Sequence, residues 1–548
     1  MEPACIQSSA LPRETREKEE ELESNQDVGG GDLAAQPEGG VLSRTPAVLA
    51  LAVLLVSVGV LLTVALVQTW RTPPQPPGLK YGVVLDAGSS RTTVYVYHWP
   101  AEKENDTGVV SQSLKCSVPG SGISSYDKNP EDAPRAFESC MGKVWEAIPA
   151  PLHASTHLYL GATAGMRLLR LQNATAAAAV LASICGYLEA QPYDFGGARI
   201  LTGQEEGECA WITANYLKGN FVQRTPWPAW THPQGARTVG ALDLGGASTQ
   251  IAFVPAELGS QEAGARVSLF GYSYPLHTRS LLCFGRQEAE RRLLAALLQD
   301  TLSARELVNP CYPQGYSAAF TLGQIFGSSC TERQRPAGLD PLRQVLFIGS
   351  GSPSRCGERV GALFHPQLCP GPGPCPFDGA DQPEPHGPFV AFAGFYYTAN
   401  ALNLSGSFSL DAFNTSTWDF CSRAWTELPA LLPKFQEDYA RSYCFSAHYI
   451  YHLLVHGFKF TARTWPQIHF EKQVQNSSLG WALGYMLNLT NQIPAEHARP
   501  PRPPVPAPIF VGVLATFATA AMLALAVLLY LCVGPRITHA PEQALDAE

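Results

Sequence analysis

The chain has 548 residues and a formal net charge of −9, and only 16% of its residues are charged. Such an acidic chain lacks the basic surface that binding to a phosphate backbone requires, which argues against nucleic acid as the main partner. The length is more than one core usually organises, and the low charge content indicates apolar membrane spans.

The N-terminal part predicts a tail, a membrane span and a stalk. Residues 1–46 contain the acidic, glycine-rich stretch REKEEELESNQDVGGGD, which predicts a disordered cytosolic tail. Residues 47–67 are apolar except for Ser57 and Thr63 and are long enough for a transmembrane helix. A cleaved signal peptide is the alternative, but it would have a shorter apolar region and would not follow so many acidic residues. Residues 68–79 contain PPQPPG and predict a stiff stalk.

Short apolar strands alternate with helices over residues 80–497, which indicates an α/β architecture in two lobes. We expect lobe I at 80–202, completed by 480–497, and lobe II at 203–479. Strands are predicted at Gly82–Leu85, Thr92–Tyr97, Leu158–Gly161, Arg199–Leu201, Ala241–Leu242 and Thr249–Phe253. Helices are predicted at Glu131–Ile148, Ala174–Ala190, Glu206–Tyr216 and Gln287–Leu297.

One acidic, glycine-rich hairpin occurs twice. In YGVVLDAGSSRTTVYVY an apolar strand leads to Asp86 and a turn with Ser89 and Ser90, and in GALDLGGASTQIAF a strand leads to Asp243 and a turn with Ser248. Glycine turns let backbone N–H groups approach an anion, and an aspartate can hold a divalent cation. A single Asp-Gly turn is usually only a turn. Two such turns heading two lobes predict a clamp on adjacent phosphates of one nucleotide, with a metal between the aspartates.

The C-terminal part predicts a second span. Residues 498–508 are proline-rich and predict an extended tether. Residues 509–533 contain no charged residue and predict a transmembrane helix, followed by a cytosolic tail at 534–548. A buried core helix is the alternative. Small residues in GVLATFATAAMLA permit close helix packing, so a homo-oligomer is one expectation.

Cysteines and glycosylation sequons predict the orientation, because arginines flank the spans on both sides. Twelve of the 14 cysteines lie between the spans, as do the six N-x-S/T sequons at Asn105, Asn173, Asn403, Asn414, Asn476 and Asn488. This clustering is typical of an oxidising, glycosylating compartment. We therefore expect a plasma-membrane protein that contacts lipid through two helices, with an extracellular middle region and both termini in the cytosol.

Three further stretches join the hairpins: YLGATAGMRLL, GQEEG and GWALGYMLNLTNQIPAE. The paired hairpins resemble those of the actin, sugar kinase and heat-shock chaperone ATPase superfamily. All five stretches together resemble the signature regions of the ectonucleoside triphosphate diphosphohydrolases, the apyrase family, over roughly residues 70–535. Arg91 after DAGSS, AEKENDTGVVSQ and GPFVAFAGFYYTANALNLSGSFSLDAFN resemble the type 3 subgroup. The resemblance implies two actin-like (RNase H-like) lobes with a nucleotide cleft between them.

The resemblance also implies a reaction, namely hydrolysis of nucleoside tri- and diphosphates. Glu206 matches the family's catalytic base, which activates a water molecule. From the residues alone, Glu205 and Glu206 equally indicate acids at a helix N-terminus, where they favour the helix dipole. Ser248 and Gln250 match residues that hold the water, and Thr163 is placed to donate to the phosphate or the water.

Other positions are implied to bind the rest of the substrate. Asp86 and Asp243 would hold Ca²⁺ or Mg²⁺ through water molecules. The phosphates would be bound by Ser89, Ser90, Arg91, Gly245, Gly246, Ala247 and Ser248; Arg91 stands where many relatives carry His. The base would be bound by Tyr397, Gly394, Arg286 and Arg463, and a stacking site of this kind predicts tolerance of purines and pyrimidines.

The resemblance implies five disulfides, among which spacing alone does not choose. They are Cys116–Cys140, Cys283–Cys330, Cys311–Cys356, Cys369–Cys375 and Cys421–Cys444. Cys185 and Cys209 are left as a sixth bridge or as buried thiols, and thiols are favoured. The sequence departs from the family pattern at Cys209–Ala210–Trp211 and at Arg279, which bears on the rate and on the preference for tri- or diphosphates.

Two other functions would use the same hairpins. An actin- or chaperone-like switch would turn nucleotide over slowly and retain the diphosphate tightly, but an extracellular setting offers it no exchange partner. A sugar kinase would need a base for a carbohydrate acceptor, and none is evident in the sequence.

Overall fold

The computed structural model describes residues 45–71, 78–224, 230–233, 237–256, 265–299, 301, 303–338, 340–364, 383–432, 434–494 and 507–537. The predicted N-terminal tail (apart from 45 and 46), residues 72–77 of the predicted stalk, residues 498–506 of the predicted tether, and the C-terminal tail beyond residue 537 lie outside this part of the chain. Residues 78–497 belong to one compact unit, and the two terminal helices belong to another.

The helices, in chain order, are α1 (Thr45–Arg71), α2 (Glu138–Ala147), α3 (Ala164–Gln172), α4 (Ala174–Glu189), α5 (Gly203–Leu217), α6 (Arg286–Gln299), α7 (Leu322–Phe326), α8 (Pro353–Ala362), α9 (Gly394–Ala401), α10 (Leu410–Cys421), α11 (Leu428–Leu431), α12 (Glu437–Ala440), α13 (Tyr443–His452), α14 (Trp481–Thr490) and α15 (Ala507–Ile537). α1 and α15 are long and apolar enough to cross a bilayer, over Thr45–Thr63 and Val511–Leu531.

The strands are β1 (Leu79–Ala87), β2 (Thr92–Pro100), β3 (Ser111–Ser117), β4 (His157–Ala162), β5 (Asp194–Ile200), β6 (Gln223–Arg224), β7 (Trp230–Thr231), β8 (Gly240–Leu244), β9 (Ser248–Phe253), β10 (Ala265–Leu269), β11 (Tyr272–Leu282), β12 (Glu306–Asn309), β13 (Ser317–Thr321), β14 (Gln344–Gly349), β15 (Phe389–Ala393), β16 (Ile468–Phe470), β17 (Gln473–Val474) and β18 (Ser477–Ser478). The first large sheet has the order β3-β2-β1-β4-β5, and the second has the order β10-β11-β9-β8-β15-β16.

The two large sheets share one pattern of strand directions. In the first sheet β1 pairs antiparallel with β2 and parallel with β4, while β2–β3 is antiparallel and β4–β5 is parallel. In the second sheet β8 pairs antiparallel with β9 and parallel with β15, while β9–β11 is antiparallel and β15–β16 is parallel. The two acidic hairpins, β1–β2 and β8–β9, therefore occupy equivalent places in the sheets. This mixed α/β architecture confirms the predicted fold class.

A buried cluster joins the two sheets through α5 and α14. It contains Val84 of the first sheet and Phe392 of the second, together with Trp211 of α5 and Trp481 of α14. The helices lie very close, since a Cβ on Gly484 would fall 1.9 Å from the Cys209 carbonyl oxygen. Any larger residue at this glycine would push α14 away from α5. The helix that begins with GQEEG is thus held in a fixed position between the hairpins.

One predicted helix is only partly α-helical. The prediction of a helix at Glu131–Ile148 is wrong for its first half, because Pro130–Phe137 forms 3₁₀ turns and the α-helix α2 begins at Glu138. Pro134 explains the difference, since proline has no N–H to donate and its ring opposes the preceding turn. The strand predicted at Arg199–Leu201 is present but begins earlier, at Asp194.

Four of the implied disulfides are present between described residues. They are Cys116–Cys140, Cys283–Cys330, Cys311–Cys356 and Cys421–Cys444. Cys369 and Cys375 lie outside the described residues. Cys209 is a buried thiol, as expected, but the same expectation for Cys185 is wrong, because Cys185 is disulfide-bonded. Cys185 and Cys209 belong to different buried clusters, which is why they do not pair.

Candidate functional site

A cavity of about 540 Å³, here called the nucleotide cavity, lies where the two acidic hairpins meet. Asp86, Thr163, Glu206, Asp243 and Ser248 all line it. These residues come from separate stretches of the chain, and the equivalent placement of β1 and β8 brings them to one volume. The geometric expectation that both aspartates face a common space therefore agrees with the structure.

The two turns have the same backbone geometry. The N–H of Gly88 donates to the carbonyl oxygen of Arg91 over 3.0 Å, and the N–H of Gly245 donates to that of Ser248 over 3.0 Å. Each glycine stands two residues after its aspartate. Closing the turn in this way leaves the intervening residues along the cavity wall, where backbone N–H groups are available to an anion.

The structure separates the roles of Glu205 and Glu206. Thr202 and Glu205 form a capping box at the start of α5, and Glu205 also pairs with Arg199 over 2.7 Å. Glu205 therefore satisfies backbone donors at the helix N-terminus, which is a structural task. Glu206 is only 7% exposed and points into the cavity instead.

Glu206 is held through one of its two carboxylate oxygens. Arg167 Nη2 donates to Oε2 over 2.5 Å, and Gln250 Nε2 donates to the same atom over 3.0 Å. Ser248 joins this network, since its Oγ accepts from Arg167 over 3.1 Å and from Gln250 over 2.7 Å. Among the described residues, Oε1 of Glu206 has no hydrogen-bond partner, and neither does the buried Oε1 of Gln250. Gln250 does not itself line the cavity, so Glu206 Oε1 is the acceptor left for a water molecule there.

Burial raises the pKa of all three acids in the cavity. It raises the pKa of Glu206 to about 7, against the opposing charge of Arg167. It raises the pKa of Asp86 to about 6, although Trp481 Nε1 donates to that carboxylate over 2.8 Å. Burial, with the charges of Glu206 and Asp86, holds the pKa of Asp243 well above its ordinary range. A group of mutually repelling carboxylates with so few protein donors is the environment that a hard divalent cation stabilises.

Thr163 and the serines of the turns present hydroxyl groups to the cavity. Thr163 precedes α3, but its side chain makes no capping hydrogen bond. Among the described residues its hydroxyl has no partner, so it is available to a bound group. Arg91 also lines the cavity, as does Tyr397 of α9, the helix that follows β15 of the second sheet.

Aromatic residues line part of the nucleotide cavity. Tyr397 and Tyr439 both line it, together with Gly394. The Arg286 guanidinium lies over the Tyr439 ring, 5.0 Å from the ring centre. Arg286 also donates to Ser442 over 2.5 Å, which fixes its position. Arg463 does not reach the cavity: it is exposed and absent from the cavity lining.

Sequence reasoning missed three residues of this site. Arg167 lies within YLGATAGMRLL, one helical turn after Thr163, and that spacing is the signal that could have revealed it. Trp481 begins α14 in GWALGYMLNLTNQIPAE, but nothing local to that stretch indicates that it reaches Asp86. Tyr439 lies far from Tyr397 in sequence, and only the fold brings the two together.

The sequence departures lie outside the nucleotide cavity. Cys209, Ala210 and Trp211 are buried in the core around α5, and none of them lines the cavity. Arg279 is on β11, opposite Ile251 of β9.

The chain is similar to known proteins at the level of a family, of single relatives and of the fold. A model of the GDA1/CD39 (nucleoside phosphatase) family matches residues 74–501. The chain is 61% identical to ectonucleoside triphosphate diphosphohydrolase 3 of Mus musculus over 92% of this chain and 96% of that protein. It is 60% identical to ectonucleoside triphosphate diphosphohydrolase 3 of Homo sapiens, with the same coverage, and 43% identical to the human type 2 protein over 84% of this chain and 92% of that one.

A crystal structure of nucleoside triphosphate hydrolases from Neospora caninum aligns with a TM-score of 0.55, covering 86% of this chain and 99% of that one. The sequence identity is 14%, so this likeness concerns the fold. The greater identity to type 3 proteins than to type 2 agrees with the subgroup indicated by Arg91 and the stretches quoted above. The extent of the family match and the identity over nearly the whole chain place this protein in the GDA1/CD39 (nucleoside phosphatase) family.

Proposed function

We propose that this chain hydrolyses nucleoside tri- and diphosphates, releasing inorganic phosphate at each step down to the monophosphate. The observation that carries the proposal is Glu206 Oε1, an acceptor without a partner in the described part of the chain, on a residue that lines the same cavity as the two glycine turns. The printed names of the relatives support the same reaction.

In this reaction a water oxygen bonds to the terminal phosphorus, and the bridging oxygen leaves with the shortened nucleotide. Glu206 accepts the proton of the water, while Gln250 and Ser248 orient it. Arg167 is a positioning residue, because it fixes Glu206 through Oε2 and never needs to touch the substrate. No phosphorylated protein intermediate is involved.

The cavity acids fit a divalent cation. Asp86 and Asp243 would hold Ca²⁺ or Mg²⁺, directly or through water, and when bound the ion would neutralise charge on the phosphate oxygens. The N–H groups and hydroxyls of the two turns, with Thr163, would bind the phosphates. Tyr397 and Gly394 would bind the base, and Arg286 would do so through Tyr439.

We further propose that residues 78–497 are extracellular, at the plasma membrane, with both termini cytosolic. The disulfides between described residues and the exposed positions of all six sequon asparagines support an oxidising, glycosylating compartment. Digestion of the full chain with a glycosidase is expected to reduce its apparent mass. An unchanged mass would contradict this topology.

The function is tested by phosphate release from intact cells that express the full chain and are given ATP, ADP or AMP. Phosphate is expected from ATP and ADP, not from AMP, and a chelator of divalent cations should abolish the release. A slow switch would instead retain the diphosphate with little turnover. Rapid release from AMP, or release that chelator leaves unchanged, would contradict the proposal.

A further inference from the structure

A second cavity, of about 510 Å³, adjoins the glycine turns of the two acidic hairpins, here called the phosphate turns, and has no part in the reaction proposed above. Three residues line both this second cavity and the nucleotide cavity: Ser89, Ala247 and Gln287. The first two belong to the two acidic hairpins, and the third lies in the first turn of α6. The phosphate turns are therefore a wall with an open space on each side.

Side-chain tips form part of that wall. A Cβ on Gly246 would lie 2.5 Å from Gln287 Oε1 and 2.7 Å from Ser89 Oγ, so both tips meet over the Gly246 backbone. The backbone itself is fixed, because the N–H groups of Gln287 and Glu288 both donate to the carbonyl oxygen of Gly246. Among the described residues, neither the Ser89 hydroxyl nor the Gln287 amide makes a side-chain hydrogen bond. Rotating them would open the wall without breaking a hydrogen bond in the protein.

The second cavity is polar and suited to water and small ions. Glu288 pairs with Arg291 over 2.7 Å and accepts from Ser328 over 2.5 Å, and Glu290 pairs with Arg441. Both buried acids of this cavity are thus paired with arginines. Among the described residues that line it, no unpaired buried acid remains to repel an anion. Asp127 is exposed and lies at the rim, where the cavity meets solvent.

We propose that this second cavity is the exit for inorganic phosphate, with Ser89 and Gln287 as the movable part of the wall. The inference rests on the proposed function. Phosphate forms beside Thr163 and Ser248, and their close sequence neighbours Gly165 and Ala247 line the second cavity. The nucleotide product would be held by the aromatic residues around Tyr397, which line the nucleotide cavity and do not line the second cavity. A separate exit lets phosphate leave while the nucleotide product is still bound.

The test narrows the rim without touching the catalytic machinery. Asp127→Trp places a bulky ring at the mouth of the second cavity, Asp127→Ala removes the charge alone, and Glu131→Trp puts the same ring on a nearby exposed acid that lines neither cavity. In the full chain, the rate at which the nucleotide product forms is measured by rapid quench. This rate is compared with the rate of phosphate release, which is measured with a phosphate sensor. For Asp127→Trp we expect one nucleotide product per site in a burst, and phosphate release slowed about tenfold. The two control variants should behave as the unmodified chain.

Simultaneous appearance of nucleotide product and phosphate in Asp127→Trp, at the rate of Glu131→Trp, would overturn the exit. Product inhibition of the unmodified chain gives a second, independent measurement. Inorganic phosphate should inhibit noncompetitively against ATP, because it can rebind while the shortened nucleotide product still occupies the nucleotide cavity; purely competitive inhibition would also overturn the proposal. Failure of the proposed function looks different, since no nucleotide product would then form in any variant.

Discussion

At the scale of single residues, the site depends on the partners of Glu206. A base must be unprotonated to accept a proton, so activity should rise as the pH passes through the Glu206 pKa of about 7. Arg167 lowers that pKa through its charge. Arg167→Met should therefore move the acidic limb of the kcat/KM profile to higher pH, and Arg167→Lys, which keeps the charge, should move it less. An acidic limb at the same pH in all three proteins would contradict the assignment.

The same pKa predicts an effect on stability. Folding raises the pKa of Glu206 from 4.5 to about 7. The protonated carboxyl group therefore contributes its full stabilisation of the folded state below about pH 4.5, and this contribution is lost as the pH rises through about 7. The amide introduced by Glu206→Gln does not titrate. In thermal unfolding at about pH 8, this variant should thus unfold at a temperature no lower than the unmodified chain, with any advantage shrinking towards about pH 5. A variant clearly less stable at both pH values would show that Glu206 is needed for folding.

The two aspartates give a matched pair of predictions. Asp86→Asn and Asp243→Asn keep the side-chain shape but halve the charge available to a cation, so both should raise the Ca²⁺ or Mg²⁺ concentration needed for half-maximal activity. Asp419→Asn is the control, since Asp419 is an exposed residue paired with Arg423. The measurement is activity against metal concentration. An aspartate whose replacement leaves that curve unchanged does not belong to a metal site.

At the scale of secondary-structure elements, α14 positions Asp86, one of the two proposed metal ligands, through Trp481. Trp481→Phe removes the donor to Asp86 and should cost about 1 kcal/mol of stability together with weaker metal activation. Trp211→Phe is the matched control, because the Trp211 ring nitrogen is buried without a partner in the described part of the chain. It should alter stability through packing while the metal dependence stays the same. Equal metal curves for both variants would remove α14 from the site.

The sequence predicts the elements whose signal is local. β1, β2, β8 and β9 follow from apolar runs that end at an acidic glycine turn. The helix α5 was predicted from Glu206, and its true start at Gly203 is fixed by the capping box of Thr202 and Glu205. The 3₁₀ turns before α2 were not predicted, although Pro134 within the predicted helix is a local signal against a continuous α-helix. Short strands such as β15 and β16 were also missed, because their pairing partners lie far away in the chain.

The residues of the site also divide into those with a local sequence signal and those without one. The turns and Glu206 were predictable because their motifs are contiguous, and the resemblance added their roles. Arg167, Trp481 and Tyr439 were not predicted, since each acts by reaching a group that is distant in sequence. Arg463 shows the opposite error: a loose match placed it near the base, but the fold leaves it exposed.

At the scale of the whole molecule, the matching strand patterns of the two large sheets account for the repeated hairpin. We propose the division into lobe I, at 80–202 with 480–497, and lobe II, at 203–479, with the cluster around α5 and α14 joining them. If both turns hold one polyphosphate, ADP with Ca²⁺ should slow amide hydrogen exchange in residues 88–91 and 245–248 together. Protection of a single turn would contradict a shared ligand.

The central claim is that Glu206 activates water at a polyphosphate held by both turns. The most direct measurement compares phosphate release from ATP by the full chain and by Glu206→Gln, with nucleotide binding measured separately in the presence of Ca²⁺. The account predicts that binding is retained while phosphate release falls by about 10²–10⁴-fold. Near-normal phosphate release by the Glu206→Gln variant would contradict it.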